Sequence, residues 1–159
     1  MLINKVNTSE IKNEIERSGR YIYTGKGTSM LPLLYPERDI VLVKRKEASV
    51  RCKVSDVILF ERKNGDCVLH RIVSVDEKEY CVVGDNCTYC ERVIDDQILG
   101  VMTTFTRKGK TIHTCNIWYR LYSILWCRPW RLKSKILKSI ATARKLYRKL
   151  VKLIKKVFT

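Results

Sequence analysis

Between Tyr21 and Thr106 the chain is cut into short runs rich in Val, Ile, Tyr and Phe, and from Ile117 onward its apolar spacing switches to that of a helix. A strand repeats every two residues and a helix every 3.6, so no single type of element satisfies both patterns. The β-type runs cover about residues 21–24, 39–44, 56–61, 67–75, 79–84 and 97–106, with turn-type residues such as Asn64-Gly65 and Pro36-Glu37-Arg38-Asp39 between them. Short runs joined by tight turns predict antiparallel pairing, and residues 20–114 read as one mostly β unit. A short helix over 8–19 is predicted ahead of it. Asn7, Thr8 or Ser9 can cap that helix, Ile11 and Ile15 share a face, and Ser18-Gly19 ends it.

The charge divides along the same line. Residues 1–96 balance 16 Lys/Arg against 16 Asp/Glu, whereas residues 97–159 carry 16 Lys/Arg and no acid, which accounts for the whole formal charge of +16. The sequence therefore divides into a β domain over 1–114 and a basic helical tail over 115–159. In the tail Trp118, Trp126 and Trp130 lie close to Tyr119 and Tyr122, and Pro129 separates two helical pieces. Leu132, Ile136, Ile140, Ala143, Tyr147, Leu150, Ile154 and Val157 then recur every three or four residues among Lys and Arg. This is a basic amphipathic helix, and packing of its apolar face onto the β domain is the plainest use for it.

A sharper use is attachment to an anionic membrane surface, where such helices lie with Trp and Tyr at the interface. Nucleic acid is the less fitting partner, because phosphate neutralisation needs no regular apolar stripe. No apolar run approaches the roughly 18 to 20 residues that cross a bilayer, and the first residues lack the apolar centre of a secretory signal. The expectation is a peripheral membrane protein, neither spanning nor exported by the usual route, with the balance tipping to the cytoplasmic face.

Seven cysteines, at 52, 67, 81, 87, 90, 115 and 127, form an odd set without an evident framework, which suits a reducing compartment. They read as small apolar side chains. Cys87-Thr-Tyr-Cys90 has no second pair at zinc spacing and reads as a plain loop, and no metal or cofactor is expected.

Three segments carry chemistry. Gly27-Thr28-Ser29-Met30-Leu31-Pro32 places a serine in a tight loop whose backbone Pro32 restricts. Val68-Leu69-His70-Arg71-Ile72-Val73 sets a histidine in a strand, which aims its ring at one face, and Gly84-Asp85-Asn86 stands at a strand end. A serine hydroxyl is a poor nucleophile until a neighbour accepts its proton, and an imidazole with an unperturbed pKa near 6.5 can do so at neutral pH. His70 is the candidate base, and the N–H of Ser29 the natural oxyanion donor. His113 has no motif around it and reads as structural.

In this order the segments resemble those of the type I signal peptidases: an SMxP nucleophile loop, a strand bearing the base, and a GDN turn. The resemblance covers about residues 20–106, includes the connecting strands Asp39–Lys44 and Asp56–Phe60, and through His70-Arg71 points to the histidine branch found in archaea and the endoplasmic reticulum. It implies a partly open antiparallel β domain with an extended substrate paired against a strand edge. It also implies a serine endopeptidase that removes a leader or signal segment from a precursor protein or peptide. A third, acidic member would hold the imidazole in its tautomer, and Asp85 and Glu91 both stand near the family's spacing for it. Gly27 departs from the family, which often has a serine there. Two other readings exist: a non-catalytic membrane- or nucleic-acid-binding module on a degenerate peptidase, and a self-cleaving repressor. The repressor fits poorly, since only 28 residues precede Ser29.

Overall fold

The computed structural model describes residues 8–127 and 129–157. Asn7 lies outside them, and so do the side chains of Trp126, Leu150, Ile154 and Val157. The chain opens with α1 (Thr8–Ser18) and continues through β1 (Arg20–Tyr23), β2 (Ile40–Arg45), β3 (Val57–Glu61), β4 (Cys67–Val75) and β5 (Tyr80–Val83). Then follow β6 (Glu91–Val93), a 3-10 turn, β7 (Ile98–Arg107), β8 (Lys110–His113), α2 (Ile117–Tyr122), a π-helical turn (Ser123–Cys127) and α3 (Trp130–Val157). The protein is mostly β, with every described strand pair antiparallel.

The strands run in the order β1-β2-β7-β3-β4-β5-β6, with β8 added to β7. β3 lies inside this sheet, and its Val57-Ile58-Leu59-Phe60 run is buried on both faces, as an unbroken apolar run should be. Val57 and Leu59 join one core cluster with Val41, Val43, Leu69 and Met102, while Ile58 and Phe60 join a second with Ile72, Tyr80 and Val82. Fully burying each such side chain contributes roughly 1.5–3 kcal/mol. α1 lays Ile11 and Ile15 on the first cluster, the face that their spacing predicts.

Two strands escape the sequence reading. β8 exists because Lys108 and Gly109, with φ of 48° and 76°, form a two-residue turn that folds the chain back on β7, from Arg107 to Lys110. β6 is three residues long, too short for a periodic signal, and is held by pairing Tyr80, Cys81 and Val82 with Val93, Arg92 and Glu91.

The cysteine reading is corrected in part. Cys81 and Cys90 are joined in a disulfide, with Cα atoms 5.8 Å apart. Cys81 lies opposite Arg92 in the β5–β6 ladder, which makes Cys90 its diagonal neighbour on the same face. The segment 87–90 is thus tied down at its end and does not behave as a plain loop. Cys52, Cys67, Cys87 and Cys115 are free thiols.

The tail joins the β domain through Tyr119, whose ring packs near Phe105 in the first core cluster, and through buried polar groups. Tyr119, Ser123, Lys133 and Ser134 are buried, while Leu132, Ile136 and Ile140 are exposed. Among the described residues the apolar stripe does not pack onto the β domain, contrary to the plain expectation: Leu132 is 61% exposed and Lys133 beside it 5%. Among the described residues no helix is long and apolar enough to cross a membrane.

Candidate active site

Ser29 stands on an irregular turn between β1 and β2, part exposed, with the neighbouring Met30, Leu33 and Leu34 buried in the first core cluster. Burial of these three side chains pins the loop and leaves the serine at its surface. The Leu31–Pro32 peptide bond is cis. His70 lies in β4 opposite Ile58 of β3 and is 1% exposed.

The turn after β5 brings the two together. The N–H of Asn86 donates to the carbonyl of Ser29 at 2.7 Å, and the Asn86 side-chain amide to the carbonyl of Thr28 at 3.3 Å. A β-carbon on Gly84 would stand 2.7 Å from the Ser29 carbonyl oxygen and 3.0 Å from His70 Nε2. Both groups therefore crowd one small volume that only a glycine leaves open. Ser29 and His70 also line the same cleft, of about 570 Å³. Among the described residues no hydrogen bond joins Ser29 to His70. In unliganded enzymes such bonds are often long and tighten when substrate binds.

The other ring nitrogen faces an acid. His70 Nδ1 lies 3.0 Å from Glu91 Oε1, at ion-pair distance but poorly aligned for a hydrogen bond. Burial pushes the imidazole pKa below its ordinary value, opposed by Glu91 and assisted by the Arg62 charge, so the ring is neutral at pH 7. Glu91 is held below the usual carboxylate range, because Arg62 and His70 outweigh the burial that opposes ionisation.

Asp85, the other candidate acid, is placed elsewhere. Its carboxylate takes Arg71 Nε at 2.9 Å and Nη2 at 2.8 Å, and also the Tyr122 hydroxyl at 3.0 Å. Arg71 Nη1 reaches Tyr119, Ser123 and the Ser55 carbonyl, and Lys133 Nζ donates to the Asp85 carbonyl at 3.0 Å. Asp85 thus ties the GDN turn to β4 and to the helical tail. Its nearest bonding partners do not include the His70 ring.

Sequence reasoning missed Arg62, whose position just after β3 carries no motif. It also missed the depth of Arg71, which is 1% exposed and fully engaged. A buried Arg in an apolar strand needs an acid, and that was the available signal. His113 is exposed at the end of β8, where it pairs with Thr104 of β7.

The cleft has one further property. Within β4, β5 pairs with Arg71–Val75, so among the described residues the first half of β4, Cys67–His70, has no strand on that side. Those four residues line the cleft together with the Tyr23–Gly27 segment. Among the described residues no group of His, Cys, Asp and Glu is arranged to hold a metal ion. Compared with known proteins, the chain matches no family model and no curated protein.

Proposed function

We propose that the protein is a serine endopeptidase of the signal peptidase type, cleaving a leader or signal segment from a precursor at a membrane surface. The observation that carries this reading is the meeting of Ser29 and His70 Nε2 at Gly84 while Glu91 faces Nδ1. Glu91 faces Nδ1, as a third acidic member would, and the backbone of the Ser29 loop and Nε2 both lie within 3.0 Å of one point beside Gly84. Ser29 Oγ attacks the scissile carbonyl and passes its proton to His70 Nε2. Glu91 stabilises the resulting imidazolium, which then protonates the leaving amine. Water, activated by the same imidazole, releases the acyl group from Ser29. The Ser29 N–H is the natural donor to the developing oxyanion. General-base help of this kind contributes about 10²- to 10⁴-fold.

An extended precursor segment fits the unpaired side of Cys67–His70, where backbone pairing supplies affinity and alternate side chains enter the cleft. Met30, Leu34, Val41 and Ile11 make the lining largely apolar. The partly open β domain of the histidine branch is the fold that this reading assigns.

The tail supplies the surface. From Lys138 to Lys149 every described side chain is exposed, so nothing among the described residues covers Ile140, Leu146 or Tyr147. Trp118, 76% exposed, and Leu125 add to this apolar surface from α2 and the π-helical turn. With no acid after Asp96, a second copy of α3 would meet only like charge. An anionic bilayer meets both the stripe and the cations, each basic residue contributing about 1 kcal/mol near the surface.

A fluorophosphonate probe on the full chain tests the enzyme. Labelling of wild type that is lost in Ser29→Ala and His70→Ala is expected, together with cleavage of leader peptides on anionic vesicles. The absent Ser29–His70 hydrogen bond favours the other reading, a non-catalytic binding module on a degenerate peptidase. Failure to label under conditions that label a known serine peptidase would establish that module.

A further inference from the structure

We propose that Arg62 is a positioning residue for the catalytic base: its guanidinium grips both oxygens of Glu91 and thereby turns Oε1 toward His70 Nδ1. The inference rests on the serine peptidase reading for its catalytic meaning, but the clamp itself is a matter of geometry. Arg62 Nε lies 2.6 Å from Glu91 Oε2, and Nη2 lies 2.7 Å from Oε1. Oε1 is also the oxygen 3.0 Å from His70 Nδ1. One carboxylate oxygen therefore serves a guanidinium and an imidazole together.

A glutamate needs such a partner more than an aspartate does. Its extra methylene adds a side-chain torsion that must also be fixed. A two-pronged grip fixes the plane of the carboxylate as well as its place, which a lysine cannot do. Arg62 is anchored for the task. Its N–H donates to the Asp66 carbonyl at 2.9 Å and its carbonyl accepts from Gly65 at 2.9 Å, so it belongs to the tight hairpin leading into β4.

The groups facing His70 come from several elements. Glu91 opens β6, Arg62 follows β3, Asp85 and the Cys87 thiol belong to the turn after β5, and the Phe60 ring lies 6.0 Å away in β3. Among these Arg62 is the one that acts on the ring both directly, by its charge, and indirectly, through the acid. A plain surface ion pair would do neither; exposed pairs contribute little and leave their neighbours' titration alone.

The full chain contains two histidines, His70 and His113, which makes NMR titration with carbon-13 in the rings decisive. In Arg62→Met the His70 midpoint should move upward, because a guanidinium charge that opposes protonation of the ring is removed. Fluorophosphonate labelling of Ser29 at pH 7 should fall about 10-fold, less than loss of the base itself would cost. Arg62→Lys should keep the fold, shift His70 less and still label slowly; if Arg62→Met fails to fold, this variant carries the test. A His70 midpoint that stays or falls in a folded Arg62 variant, with labelling at the wild-type rate, overturns the proposal. The titration does not depend on catalysis. An upward shift in a protein whose wild type never labels would therefore keep the clamp and remove the peptidase reading.

Discussion

His70 and Arg71 are consecutive residues of β4, and each meets a different acid: His70 Nδ1 lies 3.0 Å from Glu91, and Arg71 holds Asp85 through two nitrogens at 2.8 and 2.9 Å. Successive side chains of a strand point to opposite faces, so the two acids are sorted by the pleat. His70 sits with Phe60 on one side, and Arg71 with Tyr119 on the other. One acid thus faces the chemistry and the other holds the architecture.

The sorting predicts that the two acids fail differently. Glu91→Gln should lower the rate of Ser29 labelling by about 10²-fold while leaving the melting temperature nearly unchanged. Asp85→Asn strips the charge partner from an arginine that is 1% exposed, and should cost about 3–5 kcal/mol of stability. Chemical denaturation and labelling rates on the same two variants read both effects.

Gly84→Ala should fold and lose most activity. The added methyl would stand 2.7 Å from the Ser29 carbonyl and from Cys87 Sγ, and 3.0 Å from His70 Nε2, so the nucleophile loop and the base must part. Displacement on that scale costs about 10²-fold in rate. Wild-type labelling in this variant would show that the crowding at Gly84 is irrelevant to catalysis.

The pH profile follows from the depressed pKa of His70. The neutral ring accepts the serine proton, so activity should persist somewhat below pH 6.5, the ordinary imidazole value, and then fall as the buried ring is protonated. Stability has the same sign. The unfolded chain binds this proton more readily, so the contribution of neutral His70 is complete above pH 6.5 and is lost as pH falls toward the lower folded value. Thermal melts from pH 8 to pH 5, compared with His70→Gln, isolate it.

Membrane attachment should depend on the stripe and on salt. Ile136→Glu with Ile140→Glu should reduce binding to vesicles containing phosphatidylserine by at least about 10-fold, since each change removes apolar burial and adds like charge to the lipid. Wild-type binding should weaken as ionic strength rises, with the Debye length near 10 Å at about 0.1 M. Equal flotation of wild type and variant would remove the docking role, and concentration-dependent dimers lost in the same variant would assign the stripe to a second copy.

Much of this arrangement is legible in the residues themselves. The strand carrying His70, the short α1 with Ile11 and Ile15 inward, and the break at Pro129 all follow from local pattern. The Gly84-Asp85-Asn86 turn is equally visible as a word, but its grip on Ser29 is not, because 57 positions separate Ser29 from Asn86 and only folding brings them to 2.7 Å. β6 was invisible since three residues have no period.

By itself the sequence determined the two-part plan, a β unit followed by a basic helix, because periodicity and charge are properties of neighbouring residues. The tertiary structure decided which acid faces His70, that Arg62 grips it, that Cys81 meets Cys90, and that α3 buries Lys133 while Ile136 looks outward. Each of these depends on register and packing between segments distant along the chain, and such contacts are set by the balance of burial and polar pairing over the whole molecule.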